Sequence, residues 1–178
     1  VFVGGNRFLQ TSLWRAPLAP VAEATRLVDG TDDMTVAASQ FRQDNVVHFL
    51  LRFTRPDGSR VPPDVFIPIA ERIGIILDIG RWVVRKACEE ASRWPAPVGV
   101  SVNVSGDQFK DPGFVSHVFD SLVEASLAPE RLTVEVTESV FSVDIDLVCG
   151  NLAQLRSGGV RIALDDFGTG FASIHHLR

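Results

Sequence analysis

Two kinds of hydrophobic pattern alternate along the chain from residue 46 onwards. Short apolar runs predict buried strands, and they lie at 46–53, 98–104, 131–137 and 160–164. Stretches with apolar residues spaced three or four apart predict helices at 62–73, 79–94, 113–126 and 144–157, and another helix begins at Gly170. Strands that alternate with helices of this length predict an α/β fold with a parallel sheet and crossover helices.

The first 45 residues follow a different pattern. They are rich in Ala, Pro, Asp and Thr, and they show no sustained period of a strand or a helix. We therefore interpret residues 1–45 as a linker-like or poorly determined segment and residues 46–178 as the regular domain. The four predicted strands of that domain are enough for half of an eight-stranded barrel but too few to close one.

Composition narrows the class of protein. Apolar residues make up 46% of the chain, which favours a buried core over disorder. The net charge is −5 with both signs interleaved, so there is no basic face for duplex nucleic acid. Cys88 and Cys149 are too few for a disulfide framework or a zinc site. The sequence shows neither a long apolar run nor a signal peptide, and it predicts no membrane segment and a cytoplasmic location.

Polar side chains follow three consecutive predicted strands. Asn103 ends the strand at 98–104, Glu135 lies in the strand at 131–137, and Asp165 and Asp166 follow the strand at 160–164. Parallel strands direct their carboxyl ends to one edge, where such folds place their active sites. Amide and carboxylate oxygens suit a hard cation such as Mg²⁺ or Mn²⁺, so this edge is a candidate metal site.

Each acid also has a structural interpretation. Glu135 lies between two valines in an apolar strand, where a carboxylate needs either a cation or an ion pair with Arg or Lys. Asp165 and Asp166 could cap the helix that follows, because Asp is favoured at helix N-termini. The Gly-Thr-Gly segment after Asp166 favours instead a loop that approaches a ligand closely.

Four segments in succession resemble the signatures of EAL domains. They are PDVFIPIAERIGIILDIGRWVVRKAC, VSVNVSGDQF, LTVEVTES and RIALDDFGTGFASIHHLR, and the resemblance extends from about residue 46 to residue 178. It implies that residues 46–178 are a partial EAL domain with the leading portion of a (β/α)8 barrel of the TIM type. Members of the family use two Mg²⁺ or Mn²⁺ ions to hydrolyse cyclic di-GMP to pGpG, which places this chain in cyclic di-GMP signalling.

The resemblance also implies roles for individual residues. Asn103, Glu135, Asp165 and Asp166 match metal ligands of the family, and the three acids among them belong to its catalytic set. Glu138 matches the acid that stabilises the loop after Asp166. Arg52 matches an arginine that contacts a substrate phosphate, a contact that suits a guanidinium, although a surface ion pair is the alternative.

Two departures from the family pattern affect the expected activity. His48 replaces the metal-binding glutamate of the Glu-Ala-Leu motif, either as a nitrogen ligand or as the loss of a ligand. The chain also ends before the lysine and the later acids of the family's catalytic set. We therefore expect no hydrolysis by this chain, and the alternative is a degenerate module that binds cyclic di-GMP or a protein partner. A homodimer or a partner signalling domain is a further expectation.

Overall fold

A computed structural model describes residues 33–43, 45–54, 58–137, 140 and 144–165, and for residues 33–43 it describes the backbone only. The strands are β1 (Asp33–Gln43), β2 (Val46–Thr54), β3 (Arg60–Val61), β4 (Gly99–Asn103), β5 (Leu132–Thr137) and β6 (Arg161–Asp165). The helices are α1 (Pro63–Arg72), α2 (Ile76–Ser92), α3 (Phe114–Glu124) and α4 (Ile145–Ser157). Short 3₁₀ helices cover Gly106–Lys110 and Pro129–Arg131.

The described strands form one sheet in the order β1-β2-β4-β5-β6, with β3 paired to β2. The pairs β2–β4, β4–β5 and β5–β6 are parallel, as the alternation of strands and helices predicted. The strand β1 is antiparallel to β2 and forms one edge of the sheet, and β6 forms the opposite edge. All four predicted strands and the helices predicted between them are present within a few residues of their predicted bounds.

One face of the sheet is packed against helices. Val100 and Val102 of β4 and Val134 and Val136 of β5 are completely buried on this covered face. The covering helices contribute apolar side chains to the same core, among them Val84, Ala87, Val118, Val148 and Leu155. Burial of this apolar surface is the main force that holds the layers together.

The amino end of the sheet is tied to α2 through Arg131. Its guanidinium donates hydrogen bonds to the carbonyl oxygens of Ala91 at 2.6 Å, Val98 at 2.8 Å and Trp94 at 3.1 Å. The main chain of Arg131 also lies so close to Gly99 that a Cβ there would be 2.7 Å from its carbonyl oxygen. A glycine at the start of β4 therefore permits this close approach.

The strand β1 was not predicted. Residues 33–43 lie in the segment that we interpreted as linker-like, because it shows no sustained period of a strand or a helix. In the structure this segment pairs with β2 from Asp33↔Thr54 to Gln43↔Val46, with a register shift between Ser39 and Gln43. Small and polar residues such as Ala37, Ala38 and Ser39 give this segment no alternation of apolar and polar positions. The strand is defined instead by its backbone pairing with β2.

The predicted boundary at residue 45 falls within the turn between these paired strands, and the division into two segments there stays a prediction. Asn45 has a φ of +61°, which suits a tight turn. The predicted turn at 55–58 and the helix predicted from Gly170 lie wholly or mostly outside the described residues. None of the described helices is both long enough and apolar enough to cross a membrane.

Candidate functional site

The face of the sheet opposite the helices is polar. Register pairs His48 with Ser101 and Ser101 with Thr133, and two residues further along each strand it pairs Asn103 with Glu135. Because alternate residues of a strand point to opposite faces, these side chains share one face. We call it the polar face and define it by His48, Arg52, Ser101, Asn103, Thr133, Glu135 and Asp165. The residues between them, such as Val102 and Val134, point to the covered face.

Glu135 is the most enclosed acid of the polar face, with 8% of its surface exposed. Its carboxylate meets the imidazole of His48, whose side chain is 36% exposed. The His48 Nδ1 atom lies 3.2 Å from Oε1 and 3.3 Å from Oε2, so one ring nitrogen faces both oxygens. The sequence left open a cation or an Arg or Lys for Glu135, and the partner that the structure provides is a histidine.

The electrostatics of this pair follow from the contact. The hydrogen bond to Glu135 raises the pKa of His48 above its ordinary value, although partial burial acts in the opposite direction. Burial alone would raise the pKa of Glu135. The hydrogen bond from His48, the nearby hydroxyl of Ser101 and the charge of His48 together outweigh that effect, so the pKa of Glu135 lies below its ordinary value. The pair therefore favours an ionised carboxylate.

Ser101 is a polar-face residue that the sequence analysis did not single out. It is 1% exposed, and its hydroxyl lies near enough to Glu135 to help lower the pKa of that acid. The same hydroxyl makes no hydrogen bond of ordinary geometry to a described atom. Its alternation with Asn103 in the segment VSVNV was the available signal, because both residues must lie on the face opposite the valines.

Asn103 and Asp165 lie at the carboxyl ends of their strands, as predicted. Asn103 is exposed and is the β4 neighbour of Glu135. Asp165 is exposed, ends β6 and pairs in register with Thr137, two residues beyond Glu135 on β5. The structure thus places an amide and two carboxylates on one face of three adjacent strands. It does not bring Asp165 to the same level of the sheet as Glu135.

Arg52 lies near the end of β2 and is half-buried. It borders a cleft of about 350 Å³ that also involves Leu50, Phe53, Arg60 and Pro62. The cleft is largely apolar and lies beside the polar face. A guanidinium in such a place can hold an anionic group of a ligand that extends from the polar face. Asp166 and Glu138, which complete the predicted set, lie outside the described residues.

The described donors do not by themselves make a cation site. Within the ranges that the structure describes, no group of three or more His, Cys, Asp or Glu side chains lies close enough to hold a metal ion. The most enclosed carboxylate, Glu135, already faces His48 through both oxygens. The predicted Mg²⁺ or Mn²⁺, which also involves Asp166, therefore stays a prediction.

Comparison with known proteins decides the family. The model of the EAL domain matches residues 39–178. This chain belongs to the EAL domain family. The match begins inside β1 and includes every described residue of the polar face. Membership confirms the predicted fold class, the leading portion of an α/β barrel of the TIM type.

Individual relatives agree with this assignment. The chain is 42% identical over 129 residues to an uncharacterized signaling protein of Caulobacter vibrioides, with 72% of this chain and 16% of the relative covered. It is 40% identical over 136 residues to the bifunctional diguanylate cyclase/cyclic di-GMP phosphodiesterase MucR of Pseudomonas aeruginosa, with 74% of this chain and 20% of the relative covered. The EAL chain thus spans a fifth or less of the length of these relatives.

A solved structure agrees as well. The MucR phosphodiesterase in complex with c-di-GMP superposes with a TM-score of 0.65 at 41% identity. The superposition covers 72% of this chain and 55% of the MucR chain. The sheet and helices of this EAL chain therefore have the arrangement of a known EAL domain over most of their length.

Proposed function

We propose that this EAL chain is part of a cyclic di-GMP signalling protein and that its polar face binds cyclic di-GMP without hydrolysing it. The observation that supports this most directly is the convergence of Asn103, Glu135 and Asp165 on one face at the carboxyl ends of parallel strands. Folds of this class bind their ligands at that edge. The relative of known structure with 41% identity is described as a complex with c-di-GMP.

The chemistry of the face suits a cyclic dinucleotide. Cyclic di-GMP presents two phosphates and two guanine bases. Its binding site therefore needs a positively charged side chain for phosphate and polar groups for the base edges. Arg52 offers a guanidinium fork on the polar face, at the border of the cleft, and such forks match phosphate oxygens. Asn103 offers an amide donor and acceptor, and Asp165 offers acceptors for base N–H groups.

The pairing of His48 with Glu135 favours binding over hydrolysis. Hydrolysis in this family, as the resemblance implies, requires two metal ions held by carboxylates. In this chain the carboxylate of Glu135 faces an imidazole, and His48 stands where the motif has a glutamate. A catalytic set acts as a unit, so the loss of one member removes most of the rate.

Hydrolysis of cyclic di-GMP to pGpG is the second candidate function. The retention of Asn103, Glu135 and Asp165 on adjacent strands favours it. Under this candidate Mg²⁺ or Mn²⁺ would be the cofactor, with Asp166 as a further ligand. The two candidates differ in one measurable result, which is the metal-dependent formation of pGpG.

Calorimetric titration with cyclic di-GMP tests the proposal. We expect Arg52→Ala to weaken binding by about tenfold or more, because a charge-assisted hydrogen bond to phosphate is lost. The matched control is Arg85→Ala, since Arg85 is exposed on α2 in the helical layer. Absence of binding, or equal affinity in Arg52→Ala, would contradict the proposal. Chromatographic detection of pGpG with Mn²⁺ present, lost in Glu135→Ala, would select the second candidate.

A further inference from the structure

The contact between His48 and Glu135 has the geometry of a cation on a carboxylate. A single atom, Nδ1, approaches Oε1 at 3.2 Å and Oε2 at 3.3 Å, so it lies opposite the open edge of the carboxylate between both oxygens. A divalent ion bound in a bidentate way approaches a carboxylate from the same edge. An N–H group and a metal ion cannot both occupy that edge.

The surroundings of Glu135 show why a partner is needed there. The residue is 8% exposed and belongs to a strand whose other side chains from Leu132 to Val136 are buried. A carboxylate in such a place is costly unless a cation or a hydrogen-bond donor compensates it. Apart from the nearby hydroxyl of Ser101, His48 is the side chain that provides this compensation among the described residues.

We infer that His48 takes the place of a divalent cation beside Glu135, and that the polar face binds its ligand without a metal ion. The second part rests on the proposed function, whereas the first part concerns only the chain itself. The imidazole keeps the carboxylate fixed in the middle of the sheet, between Asn103 on β4 and Ala163 on β6. The shape of the face is thereby maintained by a protein group.

A single substitution should reverse the replacement. His48→Glu removes the N–H donor and brings a second carboxylate next to Glu135, on the face that also holds Asn103 and Asp165. Neighbouring carboxylates repel each other, and a divalent ion relieves that repulsion. The variant would therefore acquire a set of oxygen ligands of the kind that Mn²⁺ prefers.

Electron paramagnetic resonance of free Mn²⁺ directly measures the Mn²⁺ affinity of the variant and of the unmodified chain. We expect His48→Glu to bind Mn²⁺ at least about tenfold more tightly than the unmodified chain, and Mn²⁺ to raise the Tm of the variant but not that of the unmodified chain. His117→Glu is the matched control, because His117 lies on α3 and contacts the carbonyl of Arg81. Tight Mn²⁺ binding by the unmodified chain that is lost in Glu135→Gln would overturn the inference. Equal Mn²⁺ affinities of His48→Glu and His117→Glu would overturn it as well.

A second measurement uses only the unmodified chain and decides the question if His48→Glu does not fold. The affinity for cyclic di-GMP is compared in EDTA and in Mn²⁺, and we expect a ratio near one. A loss of about tenfold or more in EDTA would contradict metal-free binding. If cyclic di-GMP does not bind under either condition, the proposed function fails, while the Mn²⁺ titrations still test whether His48 replaces the cation.

Discussion

The two faces of the same sheet are built on different principles. On the covered face, Val100, Val102, Val134 and Val136 are completely buried and belong to the hydrophobic core. On the polar face, the residues that alternate with them range from the almost fully buried Ser101 to the exposed Asn103. The same strands supply both faces, so the difference between the faces arises from the side chains.

This difference separates stability from function. The covered face gains free energy by removing apolar surface from water, and any loss of volume there leaves a cavity. The polar face keeps polar groups, whose burial contributes less free energy to folding and which are the groups of the proposed ligand site. Ser101, Thr133 and Glu135 are exceptions, because they are polar-face residues that are buried like the core.

The two cysteines should differ most strongly. Burial raises the pKa of Cys88 to about 12, and the residue lies fully buried on α2. The reactive thiolate is therefore almost absent near neutral pH, whereas Cys149 is exposed on α4. We expect a thiol reagent at pH 7 to modify Cys149 at least about 1,000-fold faster than it modifies Cys88. Mass spectrometry after brief labelling measures the ratio, and comparable labelling of Cys88 would show that the covered face is open.

Truncation of neighbouring strand positions should have unequal costs. Leu132→Ala removes a completely buried side chain of β5 and should lower the free energy of unfolding by about 2–5 kcal/mol. Asn103→Ala, on the polar face of β4, should change it by no more than about 0.5 kcal/mol. Urea denaturation of the full chain provides both values. Similar costs for the two variants would refute the distinction between the faces.

Arg131 tests the anchor between the sheet and the helices. Arg131→Met retains much of the aliphatic volume but loses all donors to the carbonyl oxygens of Ala91, Val98 and Trp94. We expect a loss of about 1.5–3 kcal/mol in the free energy of unfolding, because charged donors make the stronger hydrogen bonds. Arg85→Met is the exposed control on α2. A loss no larger than that of the control would mean that the three contacts do not stabilise the fold.

The contact between His48 and Glu135 on the polar face should make only a small contribution to the free energy of unfolding. A double-mutant cycle with His48→Ala and Glu135→Ala should give a coupling energy of about 1 kcal/mol, because the exposed part of His48 allows water to screen the interaction. The same cycle with His117→Ala in place of His48→Ala should give no coupling. A zero value for His48 and Glu135 would indicate that the contact has no energetic role.

Much of the fold could be predicted from the sequence. The apolar runs of β2, β4, β5 and β6 and the helical periods between them are local patterns, and they are preserved because each element buries one side. The strand-end residues Asn103, Glu135 and Asp165 were also predictable. Parallel strands direct their carboxyl ends to one edge, so the order of elements alone places these residues together.

Other features depended on the tertiary structure. The strand β1 has a weak local pattern and exists through its backbone pairing with β2. The contact between His48 and Glu135 joins residues 87 positions apart in the sequence. The sequence could identify each of them as unusual, but only the sheet register brings His48 within reach of Glu135. Hydrophobic periodicity is a local property of the chain, whereas the partner of a buried charge is set by the packing of distant strands.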